Sequence, residues 1–186
     1  MPLKILQSAR KCGISKFIII GTGFEYGLSG ENYDFIPVNA PLMPRMNYPV
    51  SKAVGSLVFS QWALENNLKL KYLRIFQVYG DGESSSRLWP SLKRAAELGT
   101  DFKMTSGNQI RDFTYVKDVA NKIIDELESF DIQDGKTVFK NIGSDKPQTV
   151  KEFAEYWWNY WNAKGELIFG SKDYRDDEIM RFVPKL

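Results

Sequence analysis

The chain has 186 residues, a length that suits one domain with a sizeable core. Its 43% hydrophobic and 26% charged residues are ordinary for a globular protein, and a net charge of +2 without a long basic run argues against a dedicated nucleic-acid binder. It has no histidine and one cysteine, Cys12, which removes imidazole acid–base chemistry, makes zinc unexpected and excludes an internal disulfide.

In chain order, Leu3 to Cys12 reads as a helix stopped by Gly13. Lys16 to Ile20 is a short β-branched run that fits a strand buried on both faces of a parallel sheet. It ends in Gly21-Thr22-Gly23, which places Thr22 at a strand's carboxyl end, where open α/β sheets bind ligands. Phe24 to Met46 reads as a long loop rich in proline and glycine, a length that in compact domains signals function or disorder. Ser51 to Leu64 is rich in helix formers. Leu68 to Tyr79 reads as a second strand closed by Gly80-Asp81-Gly82, completing a βαβ crossover.

Further on, Arg87 to Leu98 is an expected helix ended by Gly99, and Asp101 to Thr105 a short strand. Arg111 to Tyr115 is expected to be extended, leading into a helix from Lys117 to Ser129. Lys136 to Ile142 reads as a strand and Thr149 to Ala163 as a helix, with Thr149 and Glu152 matching a capping box. Trp157, Trp158 and Trp161 recur at near-helical spacing and read as packing; Glu166 to Phe169 is a last expected strand. No apolar run approaches the ~18 residues of a membrane helix, and the start does not read as a signal peptide, so a cytoplasmic location without membrane partners is expected.

The chemistry centres on Asn47-Tyr48-Pro49-Val50-Ser51-Lys52. Proline is tolerated in a helix's first turn, so Tyr48 and Lys52 should stand one turn apart on one face at a helix start. An ammonium beside a phenol favours the phenolate, and a phenol tuned that way can exchange a proton with a sugar hydroxyl. Spacing alone is weak: Tyr160 and Lys164 fit the same pattern in the tryptophan-rich helix.

Four blocks in order make the pattern specific: Gly21-Thr22-Gly23-Phe24-Glu25-Tyr26-Gly27, then Tyr48-Pro49-Val50-Ser51-Lys52, then Leu73-Arg74-Ile75-Phe76-Gln77-Val78-Tyr79-Gly80, then Arg111-Asp112-Phe113-Thr114-Tyr115 running on to Ala120. Together they resemble the extended short-chain dehydrogenase/reductases, the NAD(P)-dependent epimerases, dehydratases and reductases of nucleotide sugars. The resemblance implies an α/β fold: the C-terminal part of a Rossmann-type parallel sheet plus a small substrate-binding α/β lobe. It assigns residues 1–80 to the sheet half and 81–186 mostly to the lobe, with 111–145 returning to the sheet.

It also implies roles. Thr22 would hydrogen-bond the reacting sugar oxygen, Tyr48 would be the acid/base, and Lys52 would lower its pKa and hold the nicotinamide ribose of NAD or NADP. Gly21 and Phe76 would line the cofactor. Gln77, where the family commonly has asparagine, and Arg87, Arg111 and Arg175 would meet the nucleotide-diphosphate sugar, a guanidinium fork suiting phosphate. A homodimer is the implied assembly.

Departures narrow the reaction. The family's dehydratases place a carboxylate within two residues of the Thr22 position; Gly23 and Phe24 stand there, and Glu25, on an expected strand-like backbone, should point elsewhere. That favours 4-keto reduction or 4-epimerisation, and the run from Arg87 to Phe113 looks most like the CDP-abequose-synthase type of ketosugar reductase. The glycine-rich turn that seats a dinucleotide pyrophosphate has no counterpart in residues 1 to 23. The chain therefore reads as a fragment lacking the dinucleotide half, expected to be poorly soluble or inactive alone. The alternative reading is a non-enzymatic scaffold or regulatory relative of the same fold.

Overall fold

A computed structural model describes residues 2–186. In chain order the elements are α1 (Pro2–Lys11), β1 (Lys16–Thr22), α2 (Asn47–Glu65), β2 (Lys69–Ile75), β3 (Gln77–Tyr79), α3 (Leu88–Leu98), β4 (Phe102–Lys103), β5 (Ile110–Tyr115), α4 (Val116–Glu128), β6 (Thr137–Ile142), β7 (Pro147–Thr149), α5 (Val150–Tyr160), β8 (Leu167–Ile168) and β9 (Arg181–Phe182). No helix among the described residues is long and apolar enough to cross a membrane.

Three parallel strands in the order β1-β2-β6 form the first sheet. Its central strand explains the layering. Side chains alternate along a strand, so Leu70, Tyr72 and Arg74 share one face and Lys71, Leu73 and Ile75 the other. Leu70 packs with Phe17, Trp62, Ala63 and Leu68, beneath α1 and α2. Leu73 packs with Val119 and Ile142, against α4. Burying each such aliphatic side chain contributes about 2 kcal/mol. The register pairs Thr22 with Ile75 and Ile75 with Ile142, so all three strands end at one carboxyl edge.

The expected single strand from Leu68 to Tyr79 is two strands in two sheets. Phe76 interrupts it: its amide donates to Ile142 O at 3.1 Å, and its ring packs among Tyr26, Ile36 and Phe182. Beyond it β3 leaves β2 and pairs in parallel with β5. A second sheet follows in the order β3-β5-β7, with β9 also on β5, and a short β4–β8 pair completes the strands. Thus β6 joins the first sheet whereas β5 belongs to the second.

The segment from Phe24 to Met46 is more ordered than a loop. It holds 3-10 turns at Gly23–Glu25 and Leu28–Asn32. Ile36 is bonded both ways to the chain's last residues, its amide to Val183 O at 2.8 Å and its carbonyl from Lys185 N at 2.9 Å. Gly27 has φ 51°, and a Cβ there would strike the Met43 carbonyl, so only glycine fits.

Further along the chain, α3 and α5 enclose Leu92, Ala95, Met104, Ala154 and Trp158. The Thr149–Glu152 capping box starts α5 as expected, while the helix ends at Tyr160, short of Ala163. Asn162 takes φ 50°, and Lys164 lies beyond the helix, so Tyr160 and Lys164 do not form a second helical pair.

Candidate active site

Three of the expected residues meet at the carboxyl edge of β1. Thr22 ends that strand with extended backbone and becomes the N-cap of the 3-10 turn Gly23–Glu25. Its Oγ1 accepts from Phe24 N at 3.3 Å, which leaves its own hydroxyl proton available to a ligand. Its amide donates to Glu25 Oε1 at 2.9 Å, closing a capping box. The strand-like backbone expected at Glu25 is therefore not found: the 3-10 turn forms because both side chains satisfy its free amides. The Glu25 carboxylate does turn away from the edge, into the interior.

Tyr48 lies in the first turn of α2 and is 57% exposed. Pro49 sits in the same turn, where a missing N–H breaks no helical bond. The chain enters α2 through Met46 at φ 65° and ψ 159°, a backbone region that costs a side-chain-bearing residue about 1–3 kcal/mol. Lys52 follows one turn later, its Nζ 5.9 Å from the centre of the Tyr48 ring. The same Nζ donates to Ile20 O at 3.0 Å, two residues before Thr22. The ammonium thereby stands between phenol and strand end, with two N–H groups still to give.

A shallow cleft beside this edge is lined by Gly23, Phe24, Ile75, Phe76, Gln77, Arg111 and Phe182. It brings Phe76, Gln77 and Arg111 next to the Thr22 turn. Gly23 has no room for a side chain, since a Cβ would come within 2.9 Å of the Phe76 ring. Gly21 is likewise closed: a Cβ would strike Tyr72 and the Glu25 carboxylate. Gly21 thus serves packing within this chain.

Arg111 is not a free guanidinium. Its Nη2 donates to Glu178 Oε1 at 2.7 Å and to Ile179 O at 2.6 Å, and its Nη1 to Ile110 O at 2.9 Å. Burial lowers its pKa, and Glu178 opposes that. Arg175 is exposed, one turn before Glu178, whose amide donates to Arg175 O at 3.0 Å. Arg87 is the exposed N-cap of α3, paired with Glu83 at 3.2 Å. Neither Arg87 nor Arg175 lines the cleft. A far larger depression of about 1050 Å³ lies where α3, α4 and α5 meet, walled by Tyr79, Trp89, Phe153 and Trp157, and none of the candidate residues touches it.

The sequence reading missed a buried network behind the site. Arg74 Nε donates to Glu25 Oε2 at 2.9 Å, and Tyr72 Oη lies 3.0 Å from Glu25 Oε1. Arg74 Nη1 reaches Tyr26 Oη at 3.0 Å, and Tyr26 donates to Asn141 Oδ1 at 2.7 Å. Burial, reinforced by the Glu25 charge, pushes the Tyr72 phenol far up, so it stays a neutral hydroxyl. Burial also raises Tyr26, against the opposing Arg74 charge. The available signal was Arg74 itself, a charge between Leu73 and Ile75 in a run read as a strand of a parallel sheet, where a buried charge demands a partner.

Residues 1–156 match the model of the NAD dependent epimerase/dehydratase family. The chain is 27% identical over 184 residues to a putative UDP-glucose 4-epimerase of Methanocaldococcus jannaschii, covering 96% of this chain and 57% of that protein. It is 27% identical over 182 residues to CDP-abequose synthase of Salmonella typhimurium, again covering 96% and 57%. The solved UDP-N-acetylglucosamine 4-epimerase of Methanobrevibacter ruminantium M1, in complex with UDP-N-acetylmuramic acid, superposes with a TM-score of 0.86 at 22% identity, over 99% of this chain and 58% of that one. The chain spans a little over half the length of these relatives. With the family model matching most of its length, the chain belongs to the NAD-dependent epimerase/dehydratase family.

Proposed function

We propose that this chain carries the acid/base hydroxyls and part of the sugar-diphosphate cleft of an NAD(P)-dependent oxidoreductase of nucleotide sugars, a 4-ketosugar reductase or 4-epimerase. The observation behind this reading is the Lys52 ammonium, fastened to Ile20 O at 3.0 Å and set beside Tyr48, two residues from Thr22. In this reading Tyr48 Oη gives a proton to, or takes one from, the sugar O4, while the Thr22 hydroxyl donates to the same oxygen. Lys52 uses its remaining N–H groups on the nicotinamide ribose of NAD or NADP, with Phe76 and the Gly21 backbone alongside. The nicotinamide, when bound, supplies or accepts the hydride.

The arrangement fits such a cofactor because, among the described residues, the ammonium makes one hydrogen bond, to Ile20 O at the carboxyl end of β1. Gln77 and Arg111 would meet the sugar diphosphate, with Arg175 and Arg87 reaching in from their exposed positions. The first-sheet residues, 1–80, then supply the chemistry and residues 81–186 most of the substrate contacts. A second copy would cover Val50, Val54, Leu57 and Val58, an exposed apolar stripe on α2. A cytoplasmic location suits both the pyridine nucleotide and the free thiol of Cys12.

Reduction or epimerisation is favoured over dehydration by the fate of Glu25. It is the carboxylate nearest Thr22 in sequence, and it is fully buried and bound to Arg74. It cannot act as a base at the edge. The test is turnover of nucleotide 4-ketosugars with NADH or NADPH, alongside interconversion of UDP-hexose 4-epimers. Tyr48→Phe should lower turnover about a thousandfold. A Tyr48→Phe protein that turns over like the parent would sink the proposal.

A further inference from the structure

The two halves of the candidate site belong to different elements, the turn after β1 and the start of α2. One carboxylate touches the first directly and reaches the second through a phenol. Glu25 Oε1 accepts from Thr22 N at 2.9 Å and lies 3.0 Å from Tyr72 Oη. Tyr72 Oη in turn lies 3.0 Å from the backbone carbonyl of Lys52. We infer that Glu25, acting through the Tyr72 hydroxyl, is a positioning residue that sets Thr22 relative to the Tyr48–Lys52 turn of α2.

The surroundings are built for this joint. Glu25 has no exposed surface, and Tyr72 and Arg74 are almost as deeply buried. Gly21 is the residue whose missing side chain leaves space for the Tyr72 ring and the Glu25 carboxylate together. The second carboxylate oxygen is held by Arg74 Nε, whose Nη1 also donates to Val38 O at 3.1 Å. Glu25 therefore cannot rotate without giving up a buried ion pair. An ion pair in a dry interior is costly beside an apolar core of equal volume, so its retention asks for a role other than stability. Here its geometry supplies one: three acceptor contacts fix the carboxylate, and the phenol carries that position to α2. The single Tyr72 hydroxyl proton faces two acceptors at 3.0 Å, Glu25 Oε1 and the Lys52 carbonyl, and is shared between them in a three-centre contact, which ties the position of one to the other.

The catalytic meaning of the joint rests on the oxidoreductase reading; the joint itself does not. The probe is Tyr72→Phe, which deletes only the bridging oxygen and leaves the Glu25–Arg74 pair intact. In backbone and aromatic NMR spectra of this chain, the Thr22 amide and the Tyr48 ring resonances should move together. In protein that turns over nucleotide sugar, kcat should fall about tenfold with KM within about twofold and an almost unchanged melting temperature, as expected for a small misplacement of catalytic groups. Tyr48 resonances that stay in place, or an unchanged kcat in an active enzyme, overturn the inference. If Tyr48→Phe is as active as the parent in protein that turns over nucleotide sugar, the oxidoreductase reading fails instead, and the resonances still decide the joint.

Discussion

The Lys52 Nζ donates to the Ile20 carbonyl at 3.0 Å, so one side chain of α2 is tied to the end of strand β1, two residues before Thr22. The bond does two things. It holds α2 against the carboxyl edge of the sheet, and it aims the ammonium past the Tyr48 ring. Lys52→Met keeps the aliphatic stem and removes both. Because the contact is exposed, stability should change by less than about 1 kcal/mol. Turnover of nucleotide sugar should fall about a hundredfold or more, with weaker cofactor binding. Steady-state kinetics beside a urea titration separates the two effects.

Gly21→Ala tests the packing behind the site. The added methyl would overlap the Tyr72 ring and the Glu25 carboxylate, both held by neighbours that cannot yield cheaply. Overpacking of this kind costs about 1–3 kcal/mol. Urea unfolding should show that loss. A variant as stable as the parent would mean that the network relaxes and is not the fixed frame described above.

The legible parts of this chain are those whose signal is local. The Lys16–Ile20 strand, the Thr149–Glu152 capping box and the Gly99 helix stop each state their structure within a few residues, and each is found, although the strand lies at the end of its sheet with Ile20 exposed and is not buried on both faces as expected. Tyr48 and Lys52 were readable because helical spacing fixes their relation. The break at Phe76 was not, because an apolar run looks the same whether or not its partner strand changes halfway along. The Glu25 turn was hidden for a similar reason: its capping box is local, but Arg74 and Tyr72, which hold the carboxylate, lie almost fifty positions away. Arg111 was readable as a guanidinium in the right block, while its pairing with Glu178 depends on a chain segment that returns from the far end.

Asp112, on β5, offers a test in the second sheet. It is fully buried and accepts from Ser144 N at 2.6 Å, Asp145 N at 2.8 Å and Thr114 Oγ1 at 3.1 Å. It thus holds the turn between β6 and β7, where Asp145 takes φ 61°. Asp112→Ala strands two backbone amides and should cost about 2–4 kcal/mol. Asp112→Asn keeps one strong acceptor and should cost less. Equal losses for the two variants would show that charge, not acceptor count, holds the turn.

The last test concerns acid. Lys71 and Lys140 both reach Glu126 at 2.6 Å, with Lys71 almost completely buried. Burial alone would raise the Glu126 pKa, but its bonds to Lys140 and Lys71 outweigh that and hold it below the ordinary glutamate value. The unfolded chain therefore binds this proton more readily than the folded one. The stabilisation is complete above the unfolded pKa of about 4.3 and is lost as pH falls through the lower folded value. Glu126→Gln should accordingly be less stable than the parent near neutral pH, and the gap should close as pH falls below about 4. Lys71→Met leaves Glu126 with Lys140 only and should cost about 2 kcal/mol near neutral pH, less than a fully orphaned charge would. Urea titrations of the three proteins across that range decide it: a gap between parent and Glu126→Gln that stays constant into acid would mean that the lysines stabilise α4 by packing and not by charge.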